Sequence, residues 1–593
     1  MRTLELFSRA LIDHKVLFPL VMFSFYVVPY LVDILRIPYS KFTYPDVWLW
    51  GLLFFSMVSY LTGSIFFSRV TIISRVFKYR EKLRVSSLCL LFFLAWLYLN
   101  LLGLPPIQSA AGSILYVVFW ALLLRKGFGE RVSVLLIIGS LAAMMLTFIV
   151  MGGLPLFNHA ILKHAKLSPA RELALPMFIL GAVSFSLDRM RKPRVVSYML
   201  SIMVFAIGAL VFAINGDMHD LLAISLGFLL AVLYRCSNTG RMLIIGFLVF
   251  MGLLASYLAP RLLSLFRQSF NLQVLRHILL YVNDPILGSA KGAISLGLKR
   301  DFLGTKMIYG EGENWTLTST WLGPAYLDLG LIGVFLTMFT LGATLELMLQ
   351  VLKMSEDNIT PATLYLTTLS IVMSLLEDGA SLPVVMFIVL MVYATFSRPP
   401  KVKPSQSGFK ASSLKFFLIV LTMSLIDLVL LAYAYCSEFG GLKTVVHTQK
   451  ITQESTRVDT VLEPSRFYHV KLIGPGTVCL EGEMTVLSDT GVTTNVLRQV
   501  SFKGCFWVAK VDQIDLGWFS MGGQGSRCVI LLELANCMEE PSEVYLRVET
   551  PSLTPWVSND ALIQIAICIS FLMMVLLTID NVKLTYAPIH ASP

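Results

Sequence analysis

"GEGENWTLTSTWLGPAYLDLGLIGVF" occupies residues 310–335, and its reading decides the fold. The first half carries Glu311, Glu313, Trp315 and a run of Thr and Ser hydroxyls. The second half opens an apolar stretch of membrane length, about 20 residues for roughly 30 Å of hydrocarbon. A bare anchor needs no polar lead of this kind, so its meaning depends on the side of the membrane on which it lies.

The rest of the chain supports a membrane reading. Of its 593 residues, 56% are hydrophobic and only 14% charged, and the mean hydropathy is +0.74. A soluble chain would carry about a quarter charged residues. Apolar spans recur near 16–36, 45–68, 86–102, 107–124, 132–151, 173–187, 195–214, 218–234, 242–260, 321–352, 362–376, 381–396, 414–435 and 560–579. The expected fold class is an all-α polytopic membrane protein of about 14 transmembrane helices, with a small β-sandwich-like extracytoplasmic domain near the C-terminus. In that setting the net charge of +10 speaks for orientation and lipid headgroups, and nucleic acid is not an expected partner. Met1 to Lys15 is polar and amphipathic and the span after it is long, so no cleavable leader is expected.

An even number of spans puts both termini on one side. The basic segments "RVTIISRVFKYREKLR" (69–84), "RKGFGER" (125–131), "DRMRKPR" (188–194) and "SRPPKVKPSQSGFK" (397–410) all fall on that same side. The positive-inside rule makes it the cytoplasm. The predicted organisation is then N-terminal transmembrane helices over 1–260, a large extracytoplasmic loop over 261–320 and transmembrane helices over 321–436. An extracytoplasmic β-rich domain follows over 437–558, and 559–593 form the final helix and a cytoplasmic tail.

Within 437–558, "RFYHVKLIGPGTVCLEGEMTVLSDTG" and "SEVYLRVET" alternate apolar and polar residues at period two between Gly, Pro and Asp turns, the pattern of antiparallel strands. Cys479, Cys505, Cys528 and Cys537 fall in this stretch and suggest two disulfides, with three possible pairings. Its plain role is a cap on the outer face, with glycan binding or partner docking as alternatives. Cys89, Cys236, Cys436 and Cys568 lie in or beside apolar segments as small buried thiols.

The 261–320 loop carries Arg261, Arg267, Arg276, Lys291, Lys299, Arg300 and Lys306. Basic residues outside oppose the usual bias, and recognition of an anionic substrate is the leading physical reason, since guanidinium forks grip phosphate bidentately. The three arginines, with Leu262, Leu263, Phe266, Leu275, Ile278 and Leu279, also suit amphipathic helices that lie on an anionic membrane surface. His277 is a general-base candidate or simply a solvated neighbour of Arg276. "GSAKGAISLGLKRDFLG" is glycine-rich, as a backbone approaching a ligand or a flexible lid would be. Glu311 and Glu313 can deprotonate a hydroxyl in a confined pocket, or pair with the nearby Lys and Arg.

Weaker groups are Asp217, His219 and Asp220 in "NGDMHD", read mainly as a polar turn; Glu377 and Asp378 in "EDGAS"; and His159, Lys163, His164 and Lys166 on an interfacial segment. Asn314-Trp315-Thr316 is a glycosylation sequon too close to the membrane to favour modification.

The stretch 310–346 resembles the O-antigen polymerase, O-antigen ligase and oligosaccharide repeat-unit polymerase families. It has an acidic, glycine-containing loop end and a Thr/Ser run, then Gly323, Tyr326, Gly330 and Gly333 opening a helix. The resemblance covers about 260–346 and the general hydrophobic layout; the β-rich 437–558 region departs from it. It implies a metal-independent membrane glycosyltransferase without cofactors, working on the outer face. Donor and acceptor would be polyprenyl-diphosphate-linked glycans, with a different surface acceptor in the ligase version. Membrane lipids and a chain-length regulator or other assembly proteins would be the remaining partners. Carried onto this chain, Arg261, Arg267 and Arg276 hold the diphosphate, helped by Lys291, Lys299 or Arg300. Glu311, Glu313 or His277 is the base, and Trp315 and Tyr326 line the pocket. A flippase of lipid-linked saccharides and a non-catalytic scaffold are the rival readings. The chain shows no clear internal repeat of the kind transporters carry, and no "WWDYG"-like signature of an oligosaccharyl-to-protein transferase.

Overall fold

A computed structural model of the chain describes residues 12–23, 47–68, 78–126, 128–153, 169–191, 195–214, 218–235, 275, 278–279, 286–288, 321–355, 359–378, 382–397, 412–438, 443–451, 455–473, 479–489, 494–505, 513–521, 527–537, 544–551, 557 and 559–586. The helices are α1 (His14–Phe23), α2 (Val47–Phe67), α3 (Arg80–Leu101), α4 (Pro106–Lys126), α5 (Glu130–Val150), α6 (Pro169–Arg189), α7 (Val195–Ala213), α8 (Met218–Arg235), α9 (Leu322–Met354), α10 (Ile359–Asp378), α11 (Leu382–Ser397) and α12 (Ser412–Glu438). Eight strands follow, then α13 (Asn559–Tyr586).

Among the described residues, five helices are long and apolar enough to cross a membrane: α2, α3, α4, α5 and α9. Shorter apolar helices lie within α1, α7, α10, α11, α12 and α13. Their ends follow from local chemistry. Helix α5 begins with Glu130 in its first turn, where a carboxylate faces the positive end of the helix dipole. It stops where Gly152 adopts φ +75° and the amides of Gly152 and Gly153 turn back to the carbonyls of Ile149 and Phe148.

Two kinds of helix surface separate the lipid side from the interior. Ile107, Leu115, Ile149 and Val150 on α4 and α5 are among the most exposed side chains, an apolar surface suited to hydrocarbon rather than water. Helix α2 is mostly buried and packs on α9, α12 and α13. It meets α9 through small residues: a Cβ on Gly63 would come within 2.1 Å of the Phe339 carbonyl oxygen, and one on Gly342 within 2.1 Å of that of Tyr60. Such contact is how helices gain packing where lipid supplies no hydrophobic drive. Some hydroxyls inside the bundle are satisfied locally: Ser59, Thr62 and Ser64 each donate to the carbonyl four residues back.

The strands are β1 (Lys443–Lys450), β2 (Ser455–Val461), β3 (Phe467–Ile473), β4 (Cys479–Asp489), β5 (Thr494–Cys505), β6 (Gln513–Ser520), β7 (Arg527–Cys537) and β8 (Tyr545–Pro551). They form two four-stranded antiparallel sheets, ordered β1-β8-β3-β6 and β2-β7-β4-β5. The period-two alternation sends Tyr468, Val470 and Leu472 of one sheet and Cys528, Ile530 and Leu532 of the other into one shared core. β3 is buried on its second face too, where Lys471 Nζ meets Glu549 Oε2 at 3.2 Å.

The expectation of two disulfides is not met. Cys528 is a free, fully buried thiol that packs as a small hydrophobe. The backbone register sets Cys479 opposite Cys505 and Leu480 opposite Cys537, while Cys528 lies opposite Ser488, far along β4 from Cys479.

Candidate functional site at the kinked helix

The stretch that opened the sequence analysis ends in α9. Trp321 precedes the helix, and Leu322, Gly323, Ala325, Tyr326, Leu327 and Asp328 are buried at its start. The helix is broken at Leu329 (φ −129°, ψ 16°) and Gly330 (φ 58°, ψ −145°). Gly330 takes a left-handed backbone that a side chain would oppose.

One residue of the large loop, Gly288, is seated on this break. Gly288, of the segment "GSAKG", has φ +66°, and a Cβ on it would lie 2.6 Å from the Gly330 nitrogen and 2.7 Å from the Asp328 carbonyl carbon. Leu275, Ile278 and Leu279 of the same loop are buried in the hydrophobic core that also holds Leu322, Ala325 and Tyr326.

Of the residues named from sequence, Tyr326 is described: its side chain is fully buried, about one helical turn before Gly330. Arg261, Arg267, Arg276, His277, Lys291, Lys299, Arg300, Glu311, Glu313 and Trp315 lie outside the described residues. Leu275 and Ile278, which flank Arg276 and His277, are buried. Asp220, one of the weaker metal candidates, is fully buried and takes a two-pronged hydrogen bond from Arg171: Nε to Oδ2 at 2.8 Å and an Nη to Oδ1 at 2.9 Å. This pair joins the first turns of α6 and α8. Among the described residues, no group of three or more His, Cys, Asp or Glu is placed to hold a metal ion.

Sequence reasoning passed over a second polar centre. Glu346 in α9 accepts from His14 Nε2 at 2.9 Å, from Lys15 Nζ at 3.1 Å and from Gln350 Nε2 at 2.5 Å. A carboxylate only accepts, so Nε2 carries the proton and His14 Nδ1 is left to face Tyr60 Oη at 2.7 Å. Tyr365 of α10 closes the group, receiving the His14 amide at 3.1 Å and donating to the Ile12 carbonyl at 2.7 Å. Glu346, His14, Tyr60 and Tyr365 are all fully buried. The signal that would have found the group is the one carboxylate within the long apolar run after Asp328, since an ionisable residue at membrane depth demands a partner. Asp427 of α12, which accepts from Ser570 of α13, carries the same signal.

The architecture defines a polytopic helical membrane protein with an antiparallel β region between its last two described helices. Within that class, residues 119–391, a little under half of the chain, match the family described as "Putative O-antigen polymerase". The matched segment includes the whole 261–320 loop and the kinked helix, and excludes α1 to α3 and the strands. No curated protein and no solved structure matches the chain. The family points to a membrane polymerase of lipid-linked oligosaccharide repeats.

Proposed function

We propose that the protein is a membrane glycosyltransferase that polymerises, or ligates, oligosaccharides carried on a polyprenyl diphosphate, on the extracytoplasmic face, for surface polysaccharide assembly. The observation that carries this is the family match over residues 119–391, which contains both the basic loop and the glycine-broken helix on which Gly288 sits.

In this reading the chain crosses the membrane about fourteen times, both termini are cytoplasmic, and the β region is an extracytoplasmic sandwich. The acceptor hydroxyl attacks the anomeric carbon of the donor glycan, the bond from that carbon to the diphosphate oxygen breaks, and the diphosphate leaves with its lipid. Arg261, Arg267 and Arg276, aided by Lys291, Lys299 or Arg300, stabilise the charge that develops on the leaving group. Glu311, Glu313 or His277 accepts the hydroxyl proton. Trp315 and Tyr326 shape the sugar pocket. Arginine supplies the charge, so the step invokes no metal.

The test is incubation of purified protein with lipid-linked oligosaccharide alone. A ladder of products is expected, lost in Arg276→Ala and in Glu313→Gln at normal expression. Unchanged product from all the loop substitutions, with export of the lipid-linked saccharide lost instead, would replace polymerisation by transport.

A further inference from the structure

Two helices carry the β region: α12 leads into β1 across residues 439–442, and β8 leads into α13 across 552–558. They pack on each other and on α2. Ser424, Asp427 and Leu431 of α12 and Ala566, Ser570 and Met573 of α13 are buried in the seam between them. Asp427 and Ser570 meet there, near the midpoints of the apolar runs 414–435 and 560–579, and Ser570 Oγ donates to Asp427 Oδ2. Both side chains are fully buried, and Asp427 Oδ1 has no hydrogen-bond partner among the described residues.

We propose that Asp427 is a proton-binding site inside the membrane, and that its proton holds α12 and α13 together, so that the seating of the β region depends on whether the site is filled. The proposal rests on the reading of α12 and α13 as membrane spans and not on the polymerase reading, since both helices lie beyond residues 119–391.

Charge is the first reason. A carboxylate at membrane depth needs a cation or several donors, and Asp427 has neither among the described residues. Helix α2 carries no charged residue, and its Tyr60 is turned to His14. The charged residues of α12 and α13 are Lys415, Glu438, Asp560, Asp580 and Lys583, each roughly 15 Å or more along the helix axes from the pair. Tyr433, Tyr435 and Cys436 lie roughly one and a half turns or more beyond Asp427. Cys568 of α13 is exposed, and Lys443, His447 and Lys450 belong to β1, past the end of α12. A carboxyl group that keeps its proton removes the need for a counter-ion, and it can share one contact with a hydroxyl in either direction.

The second reason is what surrounds the pair. Ser424 donates back to the Val420 carbonyl at 2.9 Å and meets Met573 Sδ at 3.6 Å. Gly51 of α2 closes over the seam, where a Cβ would lie 2.8 Å from Leu431 and 3.5 Å from Ile563. Loss of the proton leaves an ion that these groups cannot solvate, and water reaches it only if α12 and α13 part. The closed seam binds the proton and the open seam releases it, so closure is favoured as pH falls and lost as pH rises.

The experiment uses full-length protein in nanodiscs, with spin labels on noncanonical residues at Val429 and Leu572, two exposed positions beside the seam. Infrared spectra read the protonated carboxyl directly. Wild type is expected to show its band at low pH, to lose it as pH rises, and to differ in this from Asp427→Asn, which lacks the band throughout. Over the same pH range the distance between the labels lengthens in wild type and stays short in Asp427→Asn, which keeps a hydrogen bond and cannot ionise. No band difference between the two proteins, or a band that titrates while the distance stays fixed, overturns the proposal.

Wild type grown with isotope-labelled aspartate covers the case where Asp427→Asn fails to fold. The aspartate band and the distance must then change over one pH range, and changes over separate ranges overturn the proposal. Relaxation of the labels by oxygen and by a water-soluble nickel chelate checks the spans. Labels reached by nickel and not by oxygen overturn the membrane reading of these helices and the proposal with it; labels reached by oxygen, with no aspartate band, overturn the proposal alone.

Discussion

Gly288 and Gly330, one in the large loop and one at the break in α9, are in backbone contact: the space for a Cβ on Gly288 ends 2.6 Å from the Gly330 nitrogen. Both hold positive φ, +66° and +58°. Gly288 therefore rests on the helix at a point where neither residue has a side chain to keep the two backbones apart.

Gly288→Ala has both a strained backbone and a collision with main-chain atoms that cannot swing aside. We expect the loop to lift from the helix, with polymer formation falling at least tenfold at a cost of about 1–3 kcal/mol locally. Because the loss is local, the melting temperature of the purified protein should move little. A ladder assay alongside thermal unfolding checks both, and a fully active Gly288→Ala protein would show that this contact does not position the loop.

Glu346 holds His14 and Lys15 in a fully buried site. Glu346→Ala leaves the Lys15 ammonium with only the more distant Asp13 carboxylate at 3.9 Å, and breaking a buried pair this way costs up to about 3–5 kcal/mol. Lys15→Met combined with Glu346→Gln removes both charges and should recover a large part of that loss. Thermal unfolding in detergent decides: a double variant no more stable than Glu346→Ala would mean that charge is not what the site balances.

The Arg171 fork on Asp220 ties α6 to α8. Lys carries the same charge but cannot make two parallel bonds. Arg171→Lys should then destabilise nearly as much as Arg171→Ala, within about 1 kcal/mol, whereas a partner valued for charge alone would be rescued. Comparison of the two melting temperatures tests this.

Cys528 lies in the core of the β region, where burial pushes its thiol up to about 12 from an ordinary value of 9.0. The folded state thus keeps a proton that the unfolded state releases. The resulting stability is fully present below about pH 9 and is lost as pH rises from there towards 12. At pH 8 a maleimide should modify Cys528 only as fast as the β region opens, and Cys528→Ala should flatten the alkaline loss of stability. Rapid labelling of the folded protein at pH 8 would contradict the burial.

Local pattern was enough for the membrane class, because an apolar run needs no partner to be recognised. It was enough also for the strands of the β region: Tyr468, Val470 and Leu472 alternate in sequence as they do in the core. The expectation of two disulfides fails at Cys528, a free buried thiol opposite Ser488, because cysteine spacing carries no register; the same register does set Cys479 opposite Cys505. The Gly323-Tyr326-Gly330-Gly333 motif marked the right helix without revealing its break, since glycine is as much at home in tight helix packing as in a turn.

The sequence by itself determined the membrane class, from its recurring apolar runs, and residues 310–346 carried the family resemblance. The tertiary structure alone decided that His14 would meet Glu346, that Arg171 would hold Asp220, that Gly288 would rest on Gly330, and that Asp427 would face Ser570. The physical reason is degeneracy. Hydrophobic periodicity tells a helix which face to bury, but many apolar faces fit one another about equally well. The choice among them rests on a few buried polar pairs and side-chain-free contacts between residues far apart in the chain.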